Sequence, residues 1–223
     1  MAPGAGEPES GPVVLVESYG DPAGTAPLFP GEEQVVARAV PSRRAEFATA
    51  RACARAALAQ LGVAPAAILR GVRGEPLWPA GTVGALTHCA GYRAAAVARA
   101  SDVVSLGLDA EPHLPMPGGG ELRLVTVDEE RRYLPELAAR HPEICWDRLL
   151  FSAKESVYKA WYPLTGRWLG FDEAVITPDP AAGTFTARLL VPGPEVAGER
   201  LTGFEGTWTV RHGLIRTAVT VGH

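Results

Sequence analysis

One pattern occurs twice along this chain: a long helical segment accompanied by short apolar segments that favour strands. The first helical segment covers residues 42–61, is rich in Ala, Arg and Leu, and is ended by Gly62. The second covers residues 146–161, where polar side chains crowd an otherwise aromatic and apolar helix. Strand-forming segments broken by Gly and Pro lie at about 70–111 and 169–221. The sequence therefore predicts an α+β protein with two similar halves.

The remaining segments complete this outline. PVVLVES at 12–18 is predicted to be the first strand, after a tail at 1–11 that has no periodicity and is expected to be disordered. Residues 112–121 are rich in Pro and Gly, which predicts a loop, and TVDEERRYL at 126–134 is predicted to be the first part of the second helical stretch.

Two pairs of similar segments, one member in each half, support the division of the chain into two halves. Residues 47–56 match 151–160 in an aromatic residue, a cationic position and a final alanine, and 88–97 resemble 212–219 in a slightly shorter form. Such self-similarity indicates duplication, and a duplicated fold places a cleft between its halves, although chance is the alternative in an Ala-rich and Arg-rich chain. The predicted units are a tail, an N-terminal lobe and a C-terminal lobe: 1–11, 12–106 and 107–223.

Composition excludes several classes of protein. Hydrophobic residues make up 47% and charged residues 21% of the 223 residues, so a folded core is expected rather than disorder. A net charge of −4 gives no global basic field for nucleic acid. Three scattered cysteines suit a reducing compartment, and no apolar run approaches the ~20 residues of a membrane span. Because the N-terminus also lacks a signal-like pattern, we expect a cytoplasmic protein that binds neither membrane nor nucleic acid.

Two acidic residues stand at the end of a predicted strand. Asp109 and Glu111 close the apolar segment VVSLGLDAE, and residues two apart in a strand project from the same face. Paired carboxylates are hard oxygen ligands that suit Mg²⁺, which leaves other positions to water and phosphate. The alternative is a solvated strand end with ordinary surface acids.

The second helix carries a further acid and two cations. Glu155 and Lys159 are four residues apart and share a face of the helix, while Lys154 lies on its flank. They could form no more than a surface ion pair, but the neighbouring Phe151 and Trp161 favour a helix that is docked against other structure. Three carboxylates and two lysines together suit phosphoryl transfer from a diphosphate, with the acids on the metal and a lysine on the leaving group.

At these positions the chain resembles a known family. GLDAE (107–111) and FSAKESVYKAW (151–161), about forty residues apart, are similar to the paired signatures of Sfp-type 4′-phosphopantetheinyl transferases. Residues 73–98 are similar to the EntD-like branch of that family. The resemblance implies two pseudo-symmetric α/β lobes in one monomer with the active site between them. It also implies transfer of 4′-phosphopantetheine from coenzyme A to a serine of an apo acyl, peptidyl or aryl carrier protein, giving the holo carrier and adenosine 3′,5′-bisphosphate.

The resemblance also implies roles for individual residues. Asp109, Glu111 and Glu155 would ligate Mg²⁺, with Mn²⁺ as a substitute, and Glu155 would accept the proton of the carrier serine directly or through water. Lys159 would protonate or stabilise the departing nucleotide, and Lys154 would orient the phosphates or the pantetheine arm. Thr87 and His88 occupy the position of the family's hydroxyl–histidine pair, where the histidine contacts the 3′-phosphate of coenzyme A. The other implied contacts to coenzyme A come from arginines and from backbone groups near the adenine: Arg43, Arg44, Arg51, Gly74, Glu75 and Pro76.

Some positions depart from the family pattern or have a simpler explanation. Glu75 stands where many members have Lys, so a phosphate contact from that side chain is not expected, and Thr87 replaces the commoner Ser. Ala110 supplies no ligand between the two acids. His88 could be a core histidine, and Arg43 and Arg44 could face solvent.

Two rival functions remain at the level of sequence. One is a different Mg²⁺-dependent phosphotransferase or nuclease, although neither a Walker-type glycine loop nor a basic stripe is present. The other is a non-catalytic module that docks on carrier proteins. The sequence leaves open whether the carrier serves fatty-acid, polyketide, nonribosomal-peptide or siderophore synthesis.

Overall fold

The structure is a computed structural model that describes residues 11–22 and 27–223, so the predicted tail lies outside it except for Gly11. The helices are α1 (Glu32–Val35), α2 (Pro41–Gln60), α3 (Gly119–Val125), α4 (Asp128–Arg140) and α5 (Trp146–Thr165), with a 3₁₀ turn at Phe171–Glu173. The strands are β1 (Val13–Tyr19), β2 (Leu69–Arg70), β3 (Pro76–Leu77), β4 (Thr82–Cys89), β5 (Tyr92–Arg99), β6 (Ser105–Pro112), β7 (Ala174–Asp179), β8 (Thr184–Leu189), β9 (Glu195–Val196), β10 (Glu199–Arg200), β11 (Gly203–Arg211) and β12 (Leu214–Val221).

The first half is a three-stranded antiparallel sheet, β1-β5-β4, covered by α2. Its central strand, β5, is buried on both faces. Ala95 and Val97 point towards α2, whereas Ala94 and Ala96 belong to the cluster that packs against β6. Successive strand residues face opposite sides, so a run of small apolar residues can pack between two layers. Strand β5 therefore lies between its own helix and the second half of the molecule.

The second half is a five-stranded antiparallel sheet with strand order β6-β12-β11-β8-β7, and α5 packs across β6 and β12. The helix buries Leu149, Val157 and Trp161 completely in the largest apolar cluster. Strand β6 and helix α5 carry the two sequence signatures, so their packing brings the acids of both signatures to one region.

A helix on a hairpin recurs in both halves, which confirms the predicted α+β class. Helix α2 lies on the β4–β5 hairpin, and α5 lies on the sheet that contains the β11–β12 hairpin. The repeated segments fall in these matching elements, because 88–97 and 212–219 each span a hairpin turn. The halves differ in size, with three strands against five. Since β6 begins at Ser105, the exact lobe boundary at 106/107 stays a prediction.

The halves meet where β4 passes β6. Thr87 Oγ1 accepts a hydrogen bond from the backbone N–H of Ala110 at 2.9 Å, and Arg216 of β12 donates to Glu17 of β1. Gly107 allows β6 to approach α5, since a Cβ there would lie 1.8 Å from the carbonyl oxygen of Ser156. These contacts fix how the two halves stand on either side of the site.

Several boundaries differ from the sequence prediction. The predicted loop at 112–121 already contains the start of α3, and the four-residue α1 was not predicted. Helix α5 continues past residue 161 to Thr165 despite Pro163. Gly166 caps its C-terminus with a left-handed φ of 64°. Tertiary packing compensates for the local cost of the proline, because Trp161 is fully buried and its Nε1 donates to Arg167 O at 2.9 Å.

Candidate active site

A cleft of about 730 Å³ lies between α2 and β4 on one side and α5 on the other, with the β2–β3 hairpin at its edge. It takes its walls from both halves of the chain. Seven of the residues predicted to bind coenzyme A line it: Arg43, Arg51, Gly74, Glu75, Pro76, His88 and Lys159. Segments far apart in the sequence therefore meet at one concave surface, which is the usual form of a small-molecule site.

One wall of the cleft is strongly cationic. Arg51 on α2 is buried, stacks over Phe47 at 3.9 Å from the ring centroid and donates through Nε to Ile68 O at 3.2 Å. Burial lowers the pKa of Arg51 to about 10, and the positive charges of Arg70, Arg55 and Arg43 contribute to this, while Glu32 opposes it. Cations crowded together in this way are stabilised by an anionic ligand.

The β2–β3 hairpin brings two further arginines, Arg70 and Arg73, to the cleft. Gly74 has a φ of 90°, and a Cβ at that position would lie 2.6 Å from the guanidinium of Arg70. Glu75 folds back on the hairpin, where Oε2 accepts from the backbone N–H of Arg73 at 2.8 Å. The acid at this position is thus engaged with the hairpin backbone, and the arginines supply the charge of the wall.

His88 lies next to Arg43 on the same wall. Nη1 of Arg43 is 3.1 Å from Nε2 of His88, so the guanidinium donates and this ring nitrogen accepts. Burial is the main reason that the pKa of His88 lies below its usual value. The positive charge of Arg43 lowers this pKa further, and the negative charge of Glu46 opposes both effects. The imidazole is therefore neutral near pH 7.

Asp109 stands at the end of β6 among fixed partners. Asp109 is only 5% exposed. Its Oδ2 accepts a hydrogen bond from Ser152 Oγ at 2.8 Å, and its Oδ1 accepts one from Lys159 Nζ at 2.7 Å. Thr87 Oγ1 adds a longer contact of 3.4 Å to Oδ1. Hydrogen bonds from two helical side chains hold this carboxylate in one orientation.

The other two acids lie within electrostatic reach of Asp109. Glu111 Oε2 accepts from Arg148 Nη1 at 3.0 Å. Burial raises the pKa of Glu111, and the negative charge of Asp109 adds to this. Burial also raises the pKa of Glu155, where Asp109 and Glu111 act in the same direction and Lys159 opposes them. The three carboxylates repel one another, which is the condition that a shared cation relieves.

These acids fit a hard divalent ion in charge and donor type. All three offer carboxylate oxygens. Burial raises the pKa of Glu111 and of Glu155, and the neighbouring carboxylates add to this. Among residues 11–22 and 27–223, no three His, Cys, Asp or Glu side chains form a ready-made metal group. In the structure Asp109 is paired with Lys159, and Glu111 is paired with Arg148. Ligation of Mg²⁺ or Mn²⁺ by these acids stays a prediction.

The two lysines of the chain occupy different environments. Lys159 lines the cleft and contacts Asp109, so it joins the cationic cleft to the acids. Lys154 is 3% exposed, and its Nζ donates to Glu130 Oε2 at 2.7 Å and to Phe171 O at 2.6 Å. The structure does not bring Lys154 to the cleft, because neighbouring positions on a helix point in different directions.

Two other predicted contacts also lie outside the cleft lining. Arg44 donates to the carbonyl oxygens of Val36 and Ala37 at 3.3 and 3.4 Å, and Thr87 is buried between β4 and β6. In this geometry both side chains support the residues around the site.

Several residues of the site were not identified from sequence. Ser152 and Arg148 hold Asp109 and Glu111, and Glu130 is fully buried against Lys154. Ser152 and Arg148 lie three and seven residues before Glu155 on α5, and this helical spacing was the available signal. Arg70 and Arg73 had no such signal, because the turn that directs them depends on the hairpin.

A cationic cleft that ends at a contact between a lysine and Asp109, with two more carboxylates nearby, suits an enzyme that acts on a phosphorylated, anionic substrate. Comparison with known proteins identifies the class of enzyme. Residues 31–98 match the 4′-phosphopantetheinyl transferase N-terminal domain, and residues 105–203 match the 4′-phosphopantetheinyl transferase superfamily.

Three relatives illustrate the match. The chain is 62% identical over 194 residues to 4′-phosphopantetheinyl transferase Svp of Streptomyces mobaraensis, covering 87% of this chain and 78% of that protein. It is 50% identical over 215 residues to 4′-phosphopantetheinyl transferase PptT of Mycobacterium tuberculosis, covering 94% and 92%. Enterobactin synthase component D of Salmonella typhi is more distant, with 35% identity over 135 residues, covering 60% and 55%.

The chain belongs to the 4′-phosphopantetheinyl transferase superfamily. It is an enzyme of the holo-carrier-protein synthase type, which transfers the phosphopantetheine group from coenzyme A to carrier proteins. The family resemblance and the activity expected from the sequence are confirmed, and the two rival functions are set aside. In the part of the chain that the structure describes, no helix has the length and apolar character to cross a membrane.

Proposed function

We propose that this transferase binds the 3′-phosphate and adenine of coenzyme A in the cationic cleft and places the diphosphate at the three acids. The observation that carries this proposal is the 2.7 Å contact between Lys159 and Asp109 at the junction of the two regions. Arg43, Arg51 and His88 face the 3′-phosphate, since they line the wall where positive charge is concentrated. Backbone groups at 74–76 border the adenine.

Asp109, Glu111 and Glu155 hold Mg²⁺, for which Mn²⁺ can substitute. The bound ion supplies stabilisation of the negative charge that the phosphoryl group carries during transfer. The mutual repulsion of these acids supports the assignment, because it disfavours three bare carboxylates at one place.

Glu155 is the group that takes the proton of the carrier serine, directly or through water. Its pKa is raised by burial, which brings its basicity closer to neutral pH. The serine oxygen forms a bond to the phosphorus next to the pantetheine arm as the bond from that phosphorus to the bridging oxygen breaks. Lys159 stabilises or protonates the phosphate that leaves as adenosine 3′,5′-bisphosphate, since its ammonium lies at the cleft. Lys154 acts through its buried pair with Glu130, which positions α5.

The carrier is an acyl, peptidyl or aryl carrier protein in the cytoplasm. Because both halves of one chain contribute to the walls of the cleft, a monomer is sufficient for activity. The distant relatives whose names contain enterobactin synthase favour a carrier of siderophore assembly among the candidates.

Mass spectrometry of apo carrier proteins tests these assignments. Each carrier is incubated with coenzyme A, Mg²⁺ and the enzyme, and the expected result is a gain of one phosphopantetheine group. Chelation by EDTA should abolish the gain and added Mg²⁺ or Mn²⁺ should restore it. Asp109→Asn should remain folded and lose activity, whereas transfer that persists in EDTA would contradict the metal assignment.

A further inference from the structure

Glu46 on α2 lies among three basic side chains behind the cationic wall. Its Oε2 accepts from Arg43 Nη1 at 2.6 Å, and its Oε1 lies 3.3 Å from Arg93 Nη2 and 3.8 Å from His88 Nδ1. Arg43 and His88 line the cleft, whereas Glu46 does not. The carboxylate is therefore placed to act on a ligand through its neighbours.

The contacts of His88 define which ring nitrogen carries the proton. Arg43 has only donors, so Nε2 of His88 accepts from it at 3.1 Å. The proton of the neutral imidazole must then be on Nδ1, which faces Glu46. A carboxylate on the Nδ1 side fixes the tautomer and the orientation of the ring, and it leaves Nε2 beside Arg43, which also lines the cleft.

Arg93 fixes Glu46 from behind. This guanidinium is 5% exposed and also lies 2.8 Å from Asp21 Oδ2, so it is held from a second side. Nη1 of Arg93 donates to the carbonyl oxygens of Cys89 and Tyr92, whereas its buried Nε has no hydrogen-bond partner among the described residues. A buried cation held by the backbone of the β4–β5 hairpin gives Glu46 a fixed position.

We propose that Glu46 is a positioning residue for a phosphate monoester of the substrate. It holds Arg43 and His88 side by side and, when the phosphate takes the donor of Arg43, supports a second proton on Nε2 of His88. Binding of the phosphate is then accompanied by uptake of one proton from solvent, and the resulting imidazolium donates to a phosphate oxygen.

The charges around His88 agree with this assignment. Arg43 and Glu46 face it from α2, Arg93 from β5 and Lys159 from α5. Burial and the three cations lower the pKa of His88, and Glu46 is the carboxylate that opposes them. A phosphate in the cleft adds negative charge on the other side of the ring, so the bound state favours the protonated imidazole.

The inference rests on the proposed placement of the 3′-phosphate of coenzyme A beside His88. Dephospho-coenzyme A lacks only this phosphate, so the ratio of its Kd to that of coenzyme A isolates the contribution of the site. We expect Glu46→Gln to lower this ratio at least about tenfold at pH 7, with little change in the Kd of dephospho-coenzyme A. Asp21→Asn is the matched control, because it removes the other carboxylate on Arg93 and leaves Glu46 in place.

Isothermal titration calorimetry in two buffers of different ionisation enthalpy measures the proton uptake. Wild type should take up a proton with coenzyme A that it does not take up with dephospho-coenzyme A. This difference in proton uptake should be lost in His88→Gln and reduced in Glu46→Gln. The preference of wild type for coenzyme A over dephospho-coenzyme A should grow as the pH falls through the pKa of His88 in the complex. A purely structural role for Glu46 would weaken both ligands equally and leave proton uptake unchanged.

The outcomes separate this inference from the proposed function. If wild type binds both ligands equally, the placement of the 3′-phosphate is wrong and the role of Glu46 fails with it. If wild type and Glu46→Gln prefer coenzyme A over dephospho-coenzyme A to the same extent, the placement of the 3′-phosphate stands and only the role of Glu46 is overturned. If Glu46→Gln loses affinity for dephospho-coenzyme A as well, a general structural effect replaces the proposed one.

Discussion

Lys159 Nζ lies 2.7 Å from Oδ1 of Asp109, so a cation of α5 meets an acid of β6 where the cleft ends. The same ammonium donates to Leu108 O at 3.0 Å, which fixes it to the strand that carries Asp109. The two residues are fifty positions apart, and the close packing of α5 on β6 at Gly107 brings them together. A substrate phosphate in the cleft would find the ammonium already in place, which reduces the entropy lost on ordering it.

Replacing Lys159 by Met should lower kcat by about 10²- to 10⁴-fold, because the leaving phosphate loses its charge partner. Thermal stability should fall less than in Lys154→Met, because Lys159 is partly exposed, although Asp109 loses its cationic partner. Lys159→Arg keeps the charge and should recover part of the rate. An unchanged kcat for Lys159→Met, measured by carrier modification under saturating coenzyme A, would remove Lys159 from the reaction.

Lys154→Met should lower the stability of the fold, in contrast to the loss of kcat expected for Lys159→Met. Its partner Glu130 is fully buried, and removing one member of a buried ion pair typically costs about 3–5 kcal/mol. Urea unfolding followed by circular dichroism measures this cost. The double variant Lys154→Met/Glu130→Gln should recover part of it, because no charge is then left unpaired and the amide oxygen can still accept from the buried N–H of Ile176. A stable Lys154→Met enzyme with strongly reduced kcat would instead support a direct catalytic role.

Glu155→Gln should stabilise the metal-free protein while abolishing transfer. The pKa of Glu155 is raised in the folded state, so the ionised carboxylate disfavours folding above that pKa. This cost disappears when the pH falls below the unfolded value of about 4.3, where both states are protonated. In EDTA at pH 7 the variant should therefore unfold at a higher temperature than wild type, and the difference should vanish near pH 4.

Differential scanning calorimetry at several pH values measures the effect of Glu155→Gln. A recovered 1 kcal/mol corresponds to a rise of about 2–4 °C in Tm for a chain of this size. Addition of Mg²⁺ should raise the Tm of wild type more than that of the variant. A lower Tm for the variant at pH 7 in EDTA would contradict the cost of burying the ionised Glu155 carboxylate near Asp109 and Glu111.

Gly107→Ala should separate β6 from α5. A Cβ at residue 107 would lie 1.8 Å from the carbonyl oxygen of Ser156, so the backbones must move apart at a cost of about 1–3 kcal/mol or more. Both stability and kcat should fall, because these elements carry Asp109 and Lys159. The control is Gly120→Ala on α3, where an added Cβ meets no atom within 4 Å, and its Tm should be unchanged or slightly higher. Full activity in Gly107→Ala would mean that the close approach is not needed.

Periodicity and signature residues in the sequence were enough to predict the α+β class and the long helices. Helices α2 and α5 were predicted because apolar residues recur at helical spacing and Gly62 ends the first of them. The acids of β6 were predicted as a pair because strand residues two apart share a face. Local patterns of this kind depend on neighbours within a few positions, which a single sequence displays.

The tertiary structure alone decided which charges meet. Lys154 and Lys159 look alike in sequence, yet one is buried against Glu130 and the other lines the cleft. Likewise, Glu46 is one residue among several in a charged stretch until β4 and β5 bring His88 and Arg93 against it. Electrostatic energy depends on distance and burial, and contacts between residues far apart in the chain are fixed only when both halves have packed.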